Sequence, residues 1–206
     1  MKRFTKWTVI AAVALAIIVS TAGCTSNTGN NASPSPSVSP QPTQDPNFVP
    51  KNTSGYLTYS NRSAGYTIQY LPSWQLINSS TATGFHLLNT GTTGGDAANV
   101  GVIVSANLPK NMTLNDYSEL VLPVLRNSTD FKLLSSSNST LAGYPAKEYA
   151  FTFVNIYGTP AQGLEKLTLA NHTGYFVSYL AVQSYYSANL EIAQNMIGSF
   201  NIVSSA

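Results

Sequence analysis

The chain has 206 residues, of which 43% are hydrophobic and only 9% charged, with 10 Lys+Arg against 8 Asp+Glu. That balance excludes a nucleic-acid-coating tail, a strongly acidic disordered segment and a multi-domain machine. Lys2, Arg3 and Lys6 all precede the first apolar run, so the residues beyond 23 carry 7 basic against 8 acidic side chains.

A basic start, an apolar run from Trp7 to Val19 and small residues to Gly23 give residues 1–23 the order of a secretory signal peptide. Thr21-Ala22-Gly23-Cys24 resembles a prokaryotic lipoprotein lipobox, with Thr21 where Leu, Val or Ile is usual. The resemblance implies cleavage before Cys24 and lipid attachment to its thiol. An uncleaved anchor is the rival, because the 17 residues from Trp7 to Gly23 approach the length that spans a bilayer. Either way the rest of the chain is expected on the outer face of a membrane. Cys24 is the only cysteine, so no intrachain disulfide forms.

Residues 24–54 follow as a Ser/Pro-rich tether, with Ser33 to Pro36, Ser39-Pro40, Pro42, Pro46 and Pro50. Such composition buries too little apolar area to offset the entropy of ordering, so an extended, solvated spacer is expected. At roughly 3 Å per residue it reaches at most about 90 Å. Asn31, Asn52, Asn61, Asn78, Asn111, Asn127, Asn138 and Asn171 begin Asn-x-Ser/Thr sequons for N-linked glycosylation. Asn, Ser and Thr serving simply as uncharged surface residues explain the same pattern.

Residues 55–203 suffice for one domain, leaving 204–206 as a tail. Strands are predicted at Leu57–Tyr59 and Tyr66–Tyr70, the second ended by Pro72, with Trp74 as a large core or edge plug. Further strands are predicted at Phe85–Leu88 and Asn99–Leu108, separated by a loop containing Gly91, Gly94, Gly95 and Asp96. Thr113 or Asn115 caps a helix to about Leu125 that places Leu114, Tyr117, Leu120, Val121, Val124 and Leu125 on one side, with Pro123 near its last turn.

Phe131–Ser135 and Ala146–Asn155 form two arms around a turn at Leu141–Pro145, and Leu164–Leu169 pairs with Gly174–Gln183 across a polar hairpin. A last helix, Ser187 to Phe200, presents Leu190, Ala193, Ile197 and Phe200, and Gly198 is expected to admit close backbone packing. Joins this short demand a largely antiparallel sheet. The pattern leaves open whether both helices lie on one face.

Three blocks resemble the family that includes the extrinsic photosystem protein PsbP and the nuclear-transport factor Mog1. They are Tyr59-Ser60-Asn61 with Gly65 to Tyr70 and Pro72-Ser73-Trp74, then Leu141 to Ala146, then Ile192-Ala193 through Ile197 to Ser199-Phe200. The resemblance implies an α/β/α sandwich around an antiparallel sheet, an α+β class. Family members assist the oxygen-evolving complex or bind a Ran-type GTPase, and many exported relatives have no settled activity; neither specialised binding surface is legible here. A lipidated leader and tether look most like the exported group, and the sequons suit an archaeal cell surface.

Local catalytic motifs are missing: there is no Gly-x-Ser-x-Gly, phosphate loop, Gly-x-Gly-x-x-Gly or His-Glu-x-x-His. A triad assembled from distant residues would draw on His172 with a Ser and an Asp. His86, between Phe85 and Leu87, reads as an exposed or backbone-satisfied strand residue, and a metal site would need both imidazoles plus distant carboxylates. Asp116 and Glu119 share a helix face but are already explained by the helix N-terminus. Asp96, Glu148, Glu165 and Glu191 form no recognised spacing. No cofactor, metal or catalytic set is therefore expected. Tyr59, Tyr66, Tyr70, Trp74, Tyr179, Tyr185 and Tyr186 serve either the core or a recognition patch.

The composition thus favours a noncatalytic, surface-tethered domain that binds an envelope protein or glycan, with a membrane lipid at Cys24 and no nucleic acid. An exported hydrolase or metal-dependent enzyme, or a carrier of a small apolar ligand, is the alternative. A binder should expose a contiguous aromatic patch on a sheet face or rim, an enzyme a concave pocket with a base and an electrophile or metal, and a carrier an apolar cavity between sheet and helices.

Overall fold

The computed structural model describes residues 54–79, 82–88 and 96–203. The leader, Cys24, the tether with Asn31 and Asn52, the glycines at 91, 94 and 95 and the tail lie outside them. In chain order the elements are β1 (Leu57–Asn61), β2 (Tyr66–Tyr70), β3 (Gln75–Asn78), β4 (Ala82–Leu88), β5 (Asp96–Ser105), α1 (Leu114–Arg126), β6 (Thr129–Leu141), β7 (Tyr144–Val154), β8 (Pro160–Ala170), β9 (Thr173–Val182), α2 (Gln183–Gly198) and β10 (Asn201–Ile202).

Seven strands make one antiparallel sheet in the order β3-β4-β5-β9-β8-β7-β6, and β1-β2-β10 make a smaller one. Side chains alternate across a strand, so β9 sends Tyr175, Val177, Tyr179 and Ala181 to one core and Phe176 to the other. The first core holds Ala193, Met196 and Ile197 of α2 together with Tyr66 and Ile68 of the small sheet; the second holds Tyr117, Val121 and Leu125 of α1. The helices therefore cover opposite faces. Rings fill the first core closely: Tyr179 stacks on Tyr186 with centroids 5.0 Å apart, and Tyr66 on Phe200 at 5.5 Å.

Thr113 caps α1 in a capping box, its Oγ1 accepting the Asp116 N–H while the Asp116 carboxylate accepts the Thr113 N–H. Asn115 lies inside the first turn. Pro123 interrupts nothing, because it and Glu119, whose carbonyl it leaves without an intrahelical donor, are both exposed to water. Helix α2 starts four residues before the expected Ser187; its N-cap Val182 makes no side-chain bond, so no polar start signal marks it. It ends at Gly198, where an added Cβ would meet nothing within 4 Å, so close backbone packing is not the reason for that glycine.

Pairing, more than propensity, sets the strand limits. β4 begins at Ala82 and β8 at Pro160, both earlier than alternation indicates, because their partners continue to pair with them. Asp96 is the first residue of β5, opposite Leu88, and β5 ends at Ser105, short of Leu108. β3 and β10, of 4 and 2 residues, are too short to show a period. The Leu141–Pro145 turn contracts to Ala142-Gly143, at φ 52° and 78°, and Pro145 belongs to β7 opposite Thr140. Asn171 and His172, at φ 49° and 61°, form the other two-residue hairpin.

Candidate functional site

On the α1 face the register lines up Ile77, Gly84, Gly101, Ser178, Glu165 and Tyr149, one from each of six adjacent strands. Two neighbouring glycines leave a gap in the side-chain layer. Helix α1 packs mainly on β6, β7 and β8, so the gap lies beside it over β4 and β5. A cavity of about 30 Å³ opens there, lined by Ile77, His86, Asn99, Ile103 and Ser178 among others.

His86 lies two residues along β4 from Gly84 and reclines over it; a methyl on Gly84 would run into Nε2. Its Nδ1 pairs with the Asp96 carboxylate, and the two side chains are only 9% and 14% exposed. This corrects the expectation of an exposed or backbone-satisfied histidine and of an Asp96 in a loop. The carboxylate fixes the ring so that Nε2 faces the cavity. Across the floor, Ser178 Oγ stands 3.1 Å from where a Cβ on Gly101 would be. Next in the row is Glu165, 1% exposed, with Oε2 lacking a hydrogen-bond partner. Burial pushes its carboxyl well above the usual range.

The other acidic residues are spent locally. Asp116 accepts from the Thr113 N–H and hydroxyl at 2.8 Å each, which lowers its pKa, and Glu119 is exposed. Glu148 pairs with Lys166 at 2.9 Å, and Glu191 is exposed. His172 sits in the exposed β8–β9 turn, where its carbonyl accepts the Leu108 N–H beyond the far end of β5, so the two imidazoles are not brought together. Among the described residues no group of three His, Cys, Asp or Glu is placed to hold a metal.

Of the seven named aromatics, Tyr66, Trp74, Tyr179 and Tyr186 are buried, Tyr59 and Tyr70 pack partly buried against them, and Tyr185 is exposed. Asn78, Asn111, Asn127, Asn138 and Asn171 are exposed, whereas the half-buried Asn61 accepts from the Ser63 hydroxyl and the Ala64 N–H.

A second surface is the sheet edge at β6. Among the described residues it pairs with β7 alone, and Lys132 to Asn138 are all exposed, including Leu133 and Leu134. The register shifts twice near its start, between Thr129 and Lys132 and between Leu133 and Ser135, then runs without a break from Ser135 to Leu141. The opposite edge, β3, has only 4 residues.

No family model matches the sequence, and no curated protein matches it. Solved structures are similar in fold. Cyanobacterial PsbP (CyanoP) from Synechocystis superposes with a TM-score of 0.56 at 13% identity, covering 80% of this chain and 99% of its own. LpqN of Mycobacterium tuberculosis, described as involved in cell envelope biogenesis, gives 0.55 at 14%, covering 68% and 83%. The Saccharomyces cerevisiae Ran-binding protein Mog1p gives 0.50 at 12%, covering 73% and 96%. At such identities the likeness establishes architecture alone. The chain has the mixed α/β fold of the PsbP/Mog1-like structures, two helices on a large antiparallel sheet.

Proposed function

We propose that the chain is a noncatalytic binding module, exported by residues 1–23, lipid-anchored at Cys24 and held off the outer face of a membrane by residues 24–54. Its domain, residues 55–203, takes an extended segment of an envelope protein as an eighth strand along β6. The observation that carries this reading is the outer side of a 13-residue strand, unpaired among the described residues and regular from Ser135 to Leu141. Backbone groups on such an edge are satisfied by water until another strand supplies them. The bulges at its start limit pairing there, and the exposed Leu133 and Leu134 offer apolar contact beside the regular stretch. LpqN, with the same fold, is named for a part in envelope biogenesis, which fits this location. The exposed sequons outside β6, at Asn78, Asn111, Asn127 and Asn171, suit a glycosylated cell-surface domain, as on an archaeal envelope.

The test uses Ser136→Pro and Ser137→Pro in the full chain, with capture of partners from intact envelopes. Outward and inward N–H groups alternate along an edge strand, so one proline removes a bond to β7 and the other removes only an outward donor. The variant that keeps its melting temperature should lose the partner. If it retains full capture, β6 is not the contact surface.

A further inference from the structure

We infer that the groove floored by Gly84 and Gly101 is a binding site for a neutral, hydroxyl-bearing ligand, a polyol or the hydroxyl edge of a sugar, held between His86 Nε2 and the Ser178 hydroxyl. The gap is built by the sequence. Two glycines face each other across β4 and β5, and a Cβ at either would project among the groups that line it. The lining is also matched to one kind of ligand. A hydroxyl both donates and accepts, so it needs one acceptor and one donor in reach. Asp96 takes Nδ1, so Nε2 is the ring nitrogen left to meet a ligand, and the Ser178 hydroxyl and the Asn99 amide line the same groove with both donors and acceptors.

Charge narrows the class further. Among the described residues the cavity lining contains no Lys or Arg, and the carboxylate behind His86 is already met by that ring. Glu165, beside Ser178 in the row, has its ionised form disfavoured by burial, so a cation finds no free carboxylate and an anion no free cation. Ile77 and Ile103 give apolar wall for C–H groups. About 30 Å³ admits one or two water-sized groups, so a terminal hydroxyl enters and the rest of the molecule stays outside.

The experiment is a titration of the full-length, ¹⁵N-labelled chain in detergent with glycerol and with methyl α-D-glucoside. Sodium acetate and methylammonium chloride serve as charged controls at constant ionic strength. Saturable shifts of the Gly84, Gly101 and Ser178 amides and of His86 Nε2 are expected with the neutral probes only. Gly101→Ala places a methyl in the floor and Ser178→Ala removes a donor; each should weaken binding roughly tenfold, the equivalent of one hydrogen bond. Two variants guard against a folding defect in either. The inference is overturned if neither polyol gives saturable shifts, if acetate or methylammonium shifts the same signals equally, or if both variants bind as the parent does. The groove lies across the sheet from β6, so the proline variants and these report on separate surfaces.

Discussion

Replacing Glu165 by Gln should abolish a pH dependence of stability that the buried carboxyl imposes. The side chain is 1% exposed, Oε2 has no hydrogen-bond partner among the described residues, and burial holds its pKa well above that of an exposed glutamate. A raised carboxyl pKa means that, above the unfolded value, the folded state holds a proton that the unfolded state has lost. Stability from this group is therefore full at acid pH and declines as pH rises from the unfolded pKa toward the folded one. While the two states differ by a whole proton the slope is about 1.4 kcal/mol per pH unit. Gln keeps the shape and cannot ionise, so near pH 4 the two proteins should be within about 1 kcal/mol. The variant should then gain on the parent with each step toward neutrality. Urea unfolding of both chains in matched buffers measures the difference, and other titrating groups cancel in it. A difference that stays flat with pH, or that turns against Gln as pH rises, refutes a buried neutral acid at this position.

Other substitutions test packing and anchoring. Trp74→Ala should cost about 3–5 kcal/mol in denaturant unfolding, because the indole is 2% exposed; a loss below about 1 kcal/mol would place it outside the core. Gly163→Ala drives a methyl into the Phe151 ring and should cost about 1–3 kcal/mol, whereas Gly198→Ala meets open space at a helix end and should be neutral or stabilising by up to about 1 kcal/mol. Equal melting temperatures for these two variants would contradict the packing described. Cys24→Ser should end incorporation of radiolabelled lipid, and persistent labelling would locate the anchor elsewhere.

The fold was legible where periodicity had room to develop. Helix α1 and the pairing of β8 with β9 follow from spacing and turn residues alone, whereas spacing offers Thr113 or Asn115 as the cap and the reciprocal bonds with Asp116 select Thr113. The polar β6 was legible only in part: Ser136 to Thr140 is a strand because β7 pairs with it, and an edge open to water carries no apolar alternation to reveal that. The groove was hidden for a different reason. His86 and Asp96 are 10 residues apart, Ser178 is far from both, and only the register of β4, β5 and β9 collects them. Gly84 and Gly101, isolated within strands, were the available signal, since glycine inside a strand marks a gap or a close approach.

Scarce charge shapes how a partner would be chosen at β6. Lys147 Nζ donates to Asn138 Oδ1 at 2.9 Å, and Lys166 bridges Ser139 Oγ at 3.0 Å and Glu148 at 2.9 Å. These contacts hold the edge strand against β7 and β8 before anything binds, which lowers the ordering cost of adding a strand. They also occupy Lys147 and Lys166 and leave the regular stretch from Ser135 to Thr140 a surface of Ser, Thr and Asn, with the exposed charges Asp130 and Lys132 confined to the bulged start of the strand. Recognition there would rest on backbone pairing and on Leu133 and Leu134, so capture should change little with moderate salt. A glycan on Asn138 would compete with the Lys147 contact and crowd the same stretch of β6. Occupancy of that sequon and strand addition would therefore oppose one another, with the glycan also guarding an exposed edge against self-association.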